Sequence, residues 1–296
     1  MSTETVTDGD VLVGPTAVGS FAPERRTRLT KGGLTGLLVA LPVPILLLAL
    51  WQMSVQAGWT VPLIDLRMAN VPEPVDVVKR LYDVIAGGVY NDAYSNSIGT
   101  NAWASTRRVL SGFVLAAVVA VPLGIVMGRY ALVSAAIDPS LSLVRPIPVT
   151  AWAPIALITI GVGNKATIFL VFLAAFFPIL LNTVSGVSSV PPRLLEAAAM
   201  LGTPARQVLY KVVFPAALPS ILAGMRIALG FGWVVVVVGE NVGVPTGLGA
   251  MIIQAQETSR TDLIVAGMAL IGLAGYLTDR LMTSLIRLSL RNRPLA

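Results

Sequence analysis

Long apolar runs alternate with short polar ones along most of this chain. A bilayer-crossing helix needs about 20 mostly apolar residues. Five runs meet that length: Leu34–Val55, Val109–Met127, Leu141–Ile160, Ala166–Val187 and Ala216–Gly239. A sixth, Leu263–Leu277, reaches it when Thr278–Leu281 is added, with Asp279 and Arg280 at headgroup level. The pattern predicts about six transmembrane helices, with both termini on one side.

Between the first two runs lies a polar stretch with one helical signal. Pro72-Glu-Pro74 opens a segment that places Val75, Val78, Leu81, Tyr82 and Ile85 on one face and Lys79, Arg80 and Asp83 opposite. This predicts an amphipathic helix. It either lies at the membrane interface or packs on the spans.

Two runs depart from plain lipid-facing helices. The third contains Arg145, Pro146, Pro148 and Pro154. Prolines remove backbone donors and are tolerated where protein or a water-filled cavity re-satisfies the backbone. The fifth contains Gly224, Gly230 and Gly232, which permit close helix contact. The path through the membrane is therefore expected along Arg145, Val149, Trp152, Gly230, Trp233 and Glu240. Asp138, seven residues before Arg145, is a competing structural partner for it. Arg226 is expected to meet Asp279 or to extend toward the interface.

Composition agrees with the pattern. Of 296 residues 12% are charged, against about 25% in soluble domains. There is no Cys and no His, so disulfides, thiol nucleophiles and the usual zinc sets are excluded. No catalytic constellation and no metal site is expected. The net charge of +6 is read by position rather than as affinity for nucleic acid. Twelve Lys and Arg flank one side of the predicted membrane, from Arg25 to Arg293, and seven flank the other, from Arg67 to Arg260. The first side is expected to be cytoplasmic.

That places the segment from Pro191 to Phe214 in the cytoplasm. It reads Arg193-Leu-Leu-Glu196-Ala197-Ala198, three residues, Gly202, nine residues, then Val212-x-Phe214-Pro215. Tandem prolines, good helix formers and a glycine stop predict a short helix over about 192–202. Its spacing resembles the Glu-Ala-Ala signature of permease subunits of bacterial ABC importers. Further segments strengthen the likeness: Arg145-Pro-Ile-Pro148 with Trp152-x-Pro154, Phe176-Phe-Pro178-x-Leu-Leu-Asn182-Thr183, and Leu218-Pro219-x-Ile221 with Gly224-x-Arg226-Ile-Ala-Leu229. Together they resemble the type-1 transmembrane domain of the nitrate/sulfonate/taurine subfamily over about two-thirds of the chain.

The resemblance implies an all-α, polytopic membrane protein of the type-1 ABC importer fold. Its expected layout is a disordered cytoplasmic tail over 1–33, a first transmembrane helix over 34–56, and an external loop over 57–100. The type-1 domain follows over 101–286, with a cytoplasmic tail over 287–296. The short helix would couple to the ATPase through Arg193, Leu194, Glu196, Ala197, Ala198, Gly202, Arg206 and Pro215. Relatives usually carry a polar residue where Pro191 stands; Ser188 or Ser189 is the expected substitute cap. The expected partners are a cytoplasmic ABC ATPase dimer, an extracytoplasmic substrate-binding protein, a second permease copy in a homodimer, and the lipid of a bacterial inner membrane.

A phosphate-binding loop requires Gly-x-x-x-x-Gly-Lys-Ser/Thr. The nearest string, Gly161-Val-Gly163-Asn-Lys165-Ala166, lacks that spacing and the hydroxyl, and is expected to be a turn. No cofactor is expected in this chain, and ATP and Mg belong to the partner ATPase. The expected function is a permease subunit for a small anion or zwitterion, such as nitrate, a sulfonate or taurine. The alternative is a self-contained secondary transporter or channel.

Overall fold

The computed structural model describes residues 42–61, 66–241 and 243–291. The expected N-terminal tail, the start of the first span and the last residues of the C-terminal tail lie outside them. The chain divides between Ala49 and Leu50 into two units, and the second holds the architecture that follows apart from the first residues of the helix Pro42–Gln56.

The described chain is almost wholly helical. Helix α1 covers Pro42–Gln56 and α2 covers Pro74–Ala86, with a two-residue antiparallel ladder between them pairing Thr60 with Arg67 and Val61 with Leu66. Then come α3 (Ile98–Arg129), α4 (Ala131–Val144), a 3-10 turn (Val149–Trp152) leading into α5 (Ala153–Ile160), and α6 (Asn164–Ser188). Short α7 (Pro192–Met200) and α8 (Ala205–Val208) precede a π-helical turn (Leu209–Val213), α9 (Phe214–Glu240), α10 (Leu248–Glu257) and α11 (Thr261–Arg291). The π-helical turn ends just before Pro215, whose missing N–H removes the regular bond to Lys211.

Among the described residues, four stretches are long and apolar enough to cross a bilayer: Ile98–Arg129, Asn164–Ser188, Ala205–Glu240 and Thr261–Arg287. The predicted third span is not one helix. The chain breaks between α4 and the segment Val149–Ile160, which bends by 83°. Pro146 and Pro148 explain the break: two donors are lost within one turn. Gly161–Gly163 forms the turn into α6, with positive φ at Gly161 and Gly163, and the rest of the string, Asn164–Ala166, is the first turn of that helix.

The core is a three-helix sheaf with α6 at its centre. A Cβ at Gly112 or Gly124 of α3 would meet Val171 or Thr183 of α6 at 2.7 Å, and one at Gly128 would meet Val187 at 2.7 Å. The residue numbers in all three pairs differ by 59, so α3 and α6 run parallel in fixed register. On the other side of α6, Gly186 faces Ser220, Gly224 faces Asn182 and Gly239 faces Thr167, each at 2.6 Å from a built Cβ. These pairs all sum to 406, so α6 and α9 run antiparallel. Val109, Phe113, Ala116 and Ala120 of α3, Val171, Ala175 and Ile179 of α6, and Ala228, Trp233 and Val236 of α9 fill the space between. Close packing of small residues is how helices gain van der Waals contact in lipid.

The alternation of directions puts α7 at one end of the bundle and α2 and α10 at the other. Helix α2 lies the opposite way round from its predicted solvent face. Arg80 is 1% exposed and Asp83 and Val84 are fully buried, while Val75, Val78, Tyr82 and Ile85 are exposed. Arg80 is held inside because acidic groups surround it. Its guanidinium donates to Asp262 at the start of α11 (2.8 Å) and to Asp92 (2.8 Å), and Tyr90 stacks on it at 3.7 Å. Burial alone would lower the Arg80 pKa, and its hydrogen bonds to Asp262 and Asp92 reverse this and raise it. Burial likewise opposes ionisation of Asp83. The hydroxyl of Ser95 and the N–H groups of Tyr90 and Val89 outweigh it and hold the carboxylate below its usual range. Asp92 is also lowered, by Arg260, the Tyr94 N–H and Arg80 against the cost of burial.

Candidate functional site

The predicted short helix exists, and the sequence explains both of its ends. Pro192 occupies its first turn, where a missing N–H costs nothing. No side chain caps it. The expected substitutes are engaged elsewhere: Ser189 donates to the Gly186 carbonyl (3.0 Å) and Ser188 to the Gly128 carbonyl (3.4 Å). The start is fixed by the proline geometry alone. At the far end Gly202 adopts φ +67°. Its N–H donates to Ala199 (2.9 Å), and the Thr203 N–H donates to Ala198 (3.0 Å). That pair of bonds is a Schellman closure, which requires a left-handed residue at Gly202.

Leu195 packs on Val187, Val190, Val213 and Ala217, and Ala198, three residues on, is buried beside it on the same face of α7. Everything else faces away. Arg193, Glu196 and Ala197 are exposed, as are Leu194, Arg206 and the apolar tip formed by Met200 (89%) and Leu201 (84%). Pro215 is half-buried at the start of α9. Of the eight residues singled out on this segment, Ala198 is buried, Pro215 belongs to the first turn of α9, Gly202 turns the chain, and five present a surface.

The residues predicted to line a path separate into two groups. Arg145, Val149 and Trp152 share one cavity of about 190 Å³ with Phe177 of α6 and Phe231 and Val235 of α9. Gly230 is exposed on the same side of α9 as Phe231 and Val234. No ion pair joins Arg145 to Asp138 among the described residues; seven residues are about 10 Å along a helix axis, too far for the pair to close. Trp233 instead points into the core, where its Nε1–H donates to Thr278 of α11 (2.9 Å). Arg226 meets Asp279 through two bonds, at 2.5 Å and 2.9 Å.

Glu240 belongs to an internal lock. Its Oε1 accepts from Arg108 Nη1 (2.5 Å) and from the Ser105 hydroxyl (2.7 Å), and its Oε2 accepts from the Gly249 N–H (2.8 Å). Arg108 also donates to Asn164 (2.7 Å) and to the Thr246 carbonyl (2.6 Å). Ser105 in turn accepts the Leu248 N–H (2.9 Å). The set ties α3, α6, α9 and α10 together at one end. Gly247 has φ +142°, and a Cβ there would overlap the Glu240 carboxylate. In the sequence Arg108 is one of the seven charges, between Arg67 and Arg260, that flank the second side of the predicted membrane. Its signal is positional: Ser105, Arg108, Val109 and Gly112 fall on the one stripe of α3 that is buried.

A sheaf of bilayer-length helices, one broken span and a short anchored helix projecting from one end define a multi-pass membrane protein. The chain belongs to the family of binding-protein-dependent transport system inner membrane components, whose model matches residues 120–291. It is 43% identical to a putative ABC transporter permease protein of Methanocaldococcus jannaschii, over 71% of this chain and 79% of that one. It is 35% identical to the taurine transport system permease protein of Escherichia coli, over 75% and 80% of the two chains. It is 32% identical to a putative aliphatic sulfonates transport permease protein of Bacillus subtilis, over 90% of each.

Proposed function

We propose that this chain is the permease subunit of a binding-protein-dependent ABC importer in a bacterial inner membrane, with both termini and α7 cytoplasmic. It works as a homodimer with a separate ATPase dimer, which holds ATP and Mg, and with an extracytoplasmic substrate-binding protein. Its cargo is a small anion or zwitterion of the nitrate, sulfonate or taurine kind. The relatives named for taurine, nitrate, sulfonate and bicarbonate transport support that cargo class.

The observation that carries the reading is α7. An anchored helix with Glu196, Arg193, Met200 and Leu201 all facing outward has the build of a protein contact. Burial of an apolar tip within a charged rim is how such contacts gain affinity. Docked in an ATPase groove, α7 would move with ATP-driven closure and transmit that motion to α6 and α9, to which it is joined.

The test is Glu196→Lys in the full-length chain. Glu196 makes no ion pair among the described residues, so the variant should insert and fold as the wild type does. Capture of a stoichiometric P-loop ATPase from native membranes, and uptake, should both fall. Wild-type capture with wild-type uptake overturns the role of α7. Failure of the unmodified chain to capture any ATPase would favour a self-contained transporter.

A further inference from the structure

We propose that the cavity beside Arg145 is a substrate site within the membrane path, selective for organic anions that carry an apolar body over small inorganic anions. The proposal rests on the permease reading and assigns chemistry to its path.

Three observations support it. The first is depth. Phe177, in the cavity wall, lies thirteen residues from the start of α6 and eleven from its end. At 1.5 Å per residue that is about 20 Å from one end and about 16 Å from the other. Arg145 is exposed and borders this same mid-span cavity, and a charged group facing a cavity between spans is the usual mark of a substrate path. The second is the pairing of the arginines. Arg80, Arg108, Arg226 and Arg260 are each paired with a carboxylate. Arg145, exposed at the break between α4 and α5, is like Arg107, Arg129, Arg193 and Arg206 in making no ion pair or side-chain hydrogen bond among the described residues, and differs from them in bordering the cavity of Phe177 and Phe231. The third is the wall. Among the described residues, Arg145 is the one charged group around the cavity, and Trp152, Phe177 and Phe231 supply broad apolar faces.

The selectivity follows from those walls. Nitrate or bicarbonate would exchange its hydration shell for one guanidinium and hydrocarbon, which return no further hydrogen bonds. A carboxylate or sulfonate presents two oxygens to the planar fork of Arg145, as nitrate or bicarbonate also can, so the difference lies in the apolar body. That body displaces water from Trp152, Phe177 and Phe231, which is favourable in itself. A cavity of about 190 Å³ admits one such molecule.

The chain contains no Cys, so a single cysteine reports without background. Val149→Cys in the full-length chain, reconstituted in nanodiscs, is modified with a membrane-impermeant thiol reagent at constant ionic strength. Benzenesulfonate and nitrate are the probes. Benzenesulfonate should slow modification at about a tenth of the concentration that nitrate needs, or less. Adding Arg145→Gln should abolish that protection when each rate is taken relative to the same variant's own rate without anion. Equal or better protection by nitrate overturns the selectivity. Protection that survives Arg145→Gln, no protection by either anion, or an introduced thiol that never reacts overturns the site. A chain that loses this site while still capturing an ATPase leaves the permease reading intact.

Discussion

The Glu240 carboxylate sits at the C-terminal end of α9 with Arg108 of α3 bound to it at 2.5 Å, both nearly inaccessible to solvent. The two residues lie 132 positions apart in sequence, and their pairing closes the end of the sheaf opposite α7. A buried pair of this kind adds little relative to a well-packed apolar pair, yet breaking it strands a charge.

Glu240→Ala should therefore destabilise the folded chain by about 3–5 kcal/mol. Thermal unfolding of the purified protein should show the loss, whereas Glu240→Gln, which keeps hydrogen-bonding capacity toward Ser105 and Gly249, should lose less. Equal stability of Glu240→Ala and wild type would mean that Arg108 has another buried partner.

Gly202→Val should cost roughly 1–2 kcal/mol locally, because a branched residue is strained at φ +67°. A built Cβ there meets nothing within 4 Å, so the penalty is conformational and not steric. The complex should assemble, and its ATPase should stop responding to loaded binding protein. Normal coupling in this variant would show that the Schellman closure is dispensable.

Asp83 and Asp92 have folded pKa values below their unfolded ones. Their contribution to stability is present above the unfolded value, about pH 4, and is lost as pH falls through the folded values. Acidification below about pH 4 should loosen α2 and the loop after it before the sheaf unfolds. Hydrogen exchange at Val89 and Tyr90, whose N–H groups donate to Asp83, should accelerate there first. Uniform acceleration across α3 and α6 would contradict this order.

The exposed stripe Val75, Val78, Tyr82 and Ile85 on α2 should face the acyl boundary of the outer leaflet. An environment-sensitive fluorophore on Val78→Cys should emit at shorter wavelength in nanodiscs than one on Lys79→Cys. Identical spectra would place the stripe in water.

Much of this molecule was legible because its strongest constraints are one-dimensional. Bilayer thickness sets run length, so α3, α6, α9 and α11 could be found from apolar stretches alone. The ends of α7 were written in Pro192 and Gly202. Pairing with Asp279 was one of the two alternatives the sequence offered for Arg226, and it is the one the structure shows. What stayed hidden required knowing which face of a helix turns inward. Arg80 and Asp83 look like the wet side of α2 until Asp92 and Asp262 arrive from elsewhere to neutralise Arg80. Arg108 reads as a flanking charge until α9 brings Glu240 across. Trp233 and Gly230 lie three residues apart, yet one is clamped by Thr278 and the other is exposed. The break at Pro146 and Pro148 was visible as composition, but its 83° angle depends on what α6 and α9 leave room for.

The constant offsets along the two glycine seams carry a mechanical meaning. Sliding α3 or α9 by a single residue would bring a side chain against backbone at three places at once, so neither can creep along α6. The sheaf behaves as one stiff strut. A load applied to α7 would be carried by the three helices together and not by sliding between them, and the places where the backbone can bend are the internal prolines Pro122, Pro178 and Pro219 and the break at Pro146 and Pro148.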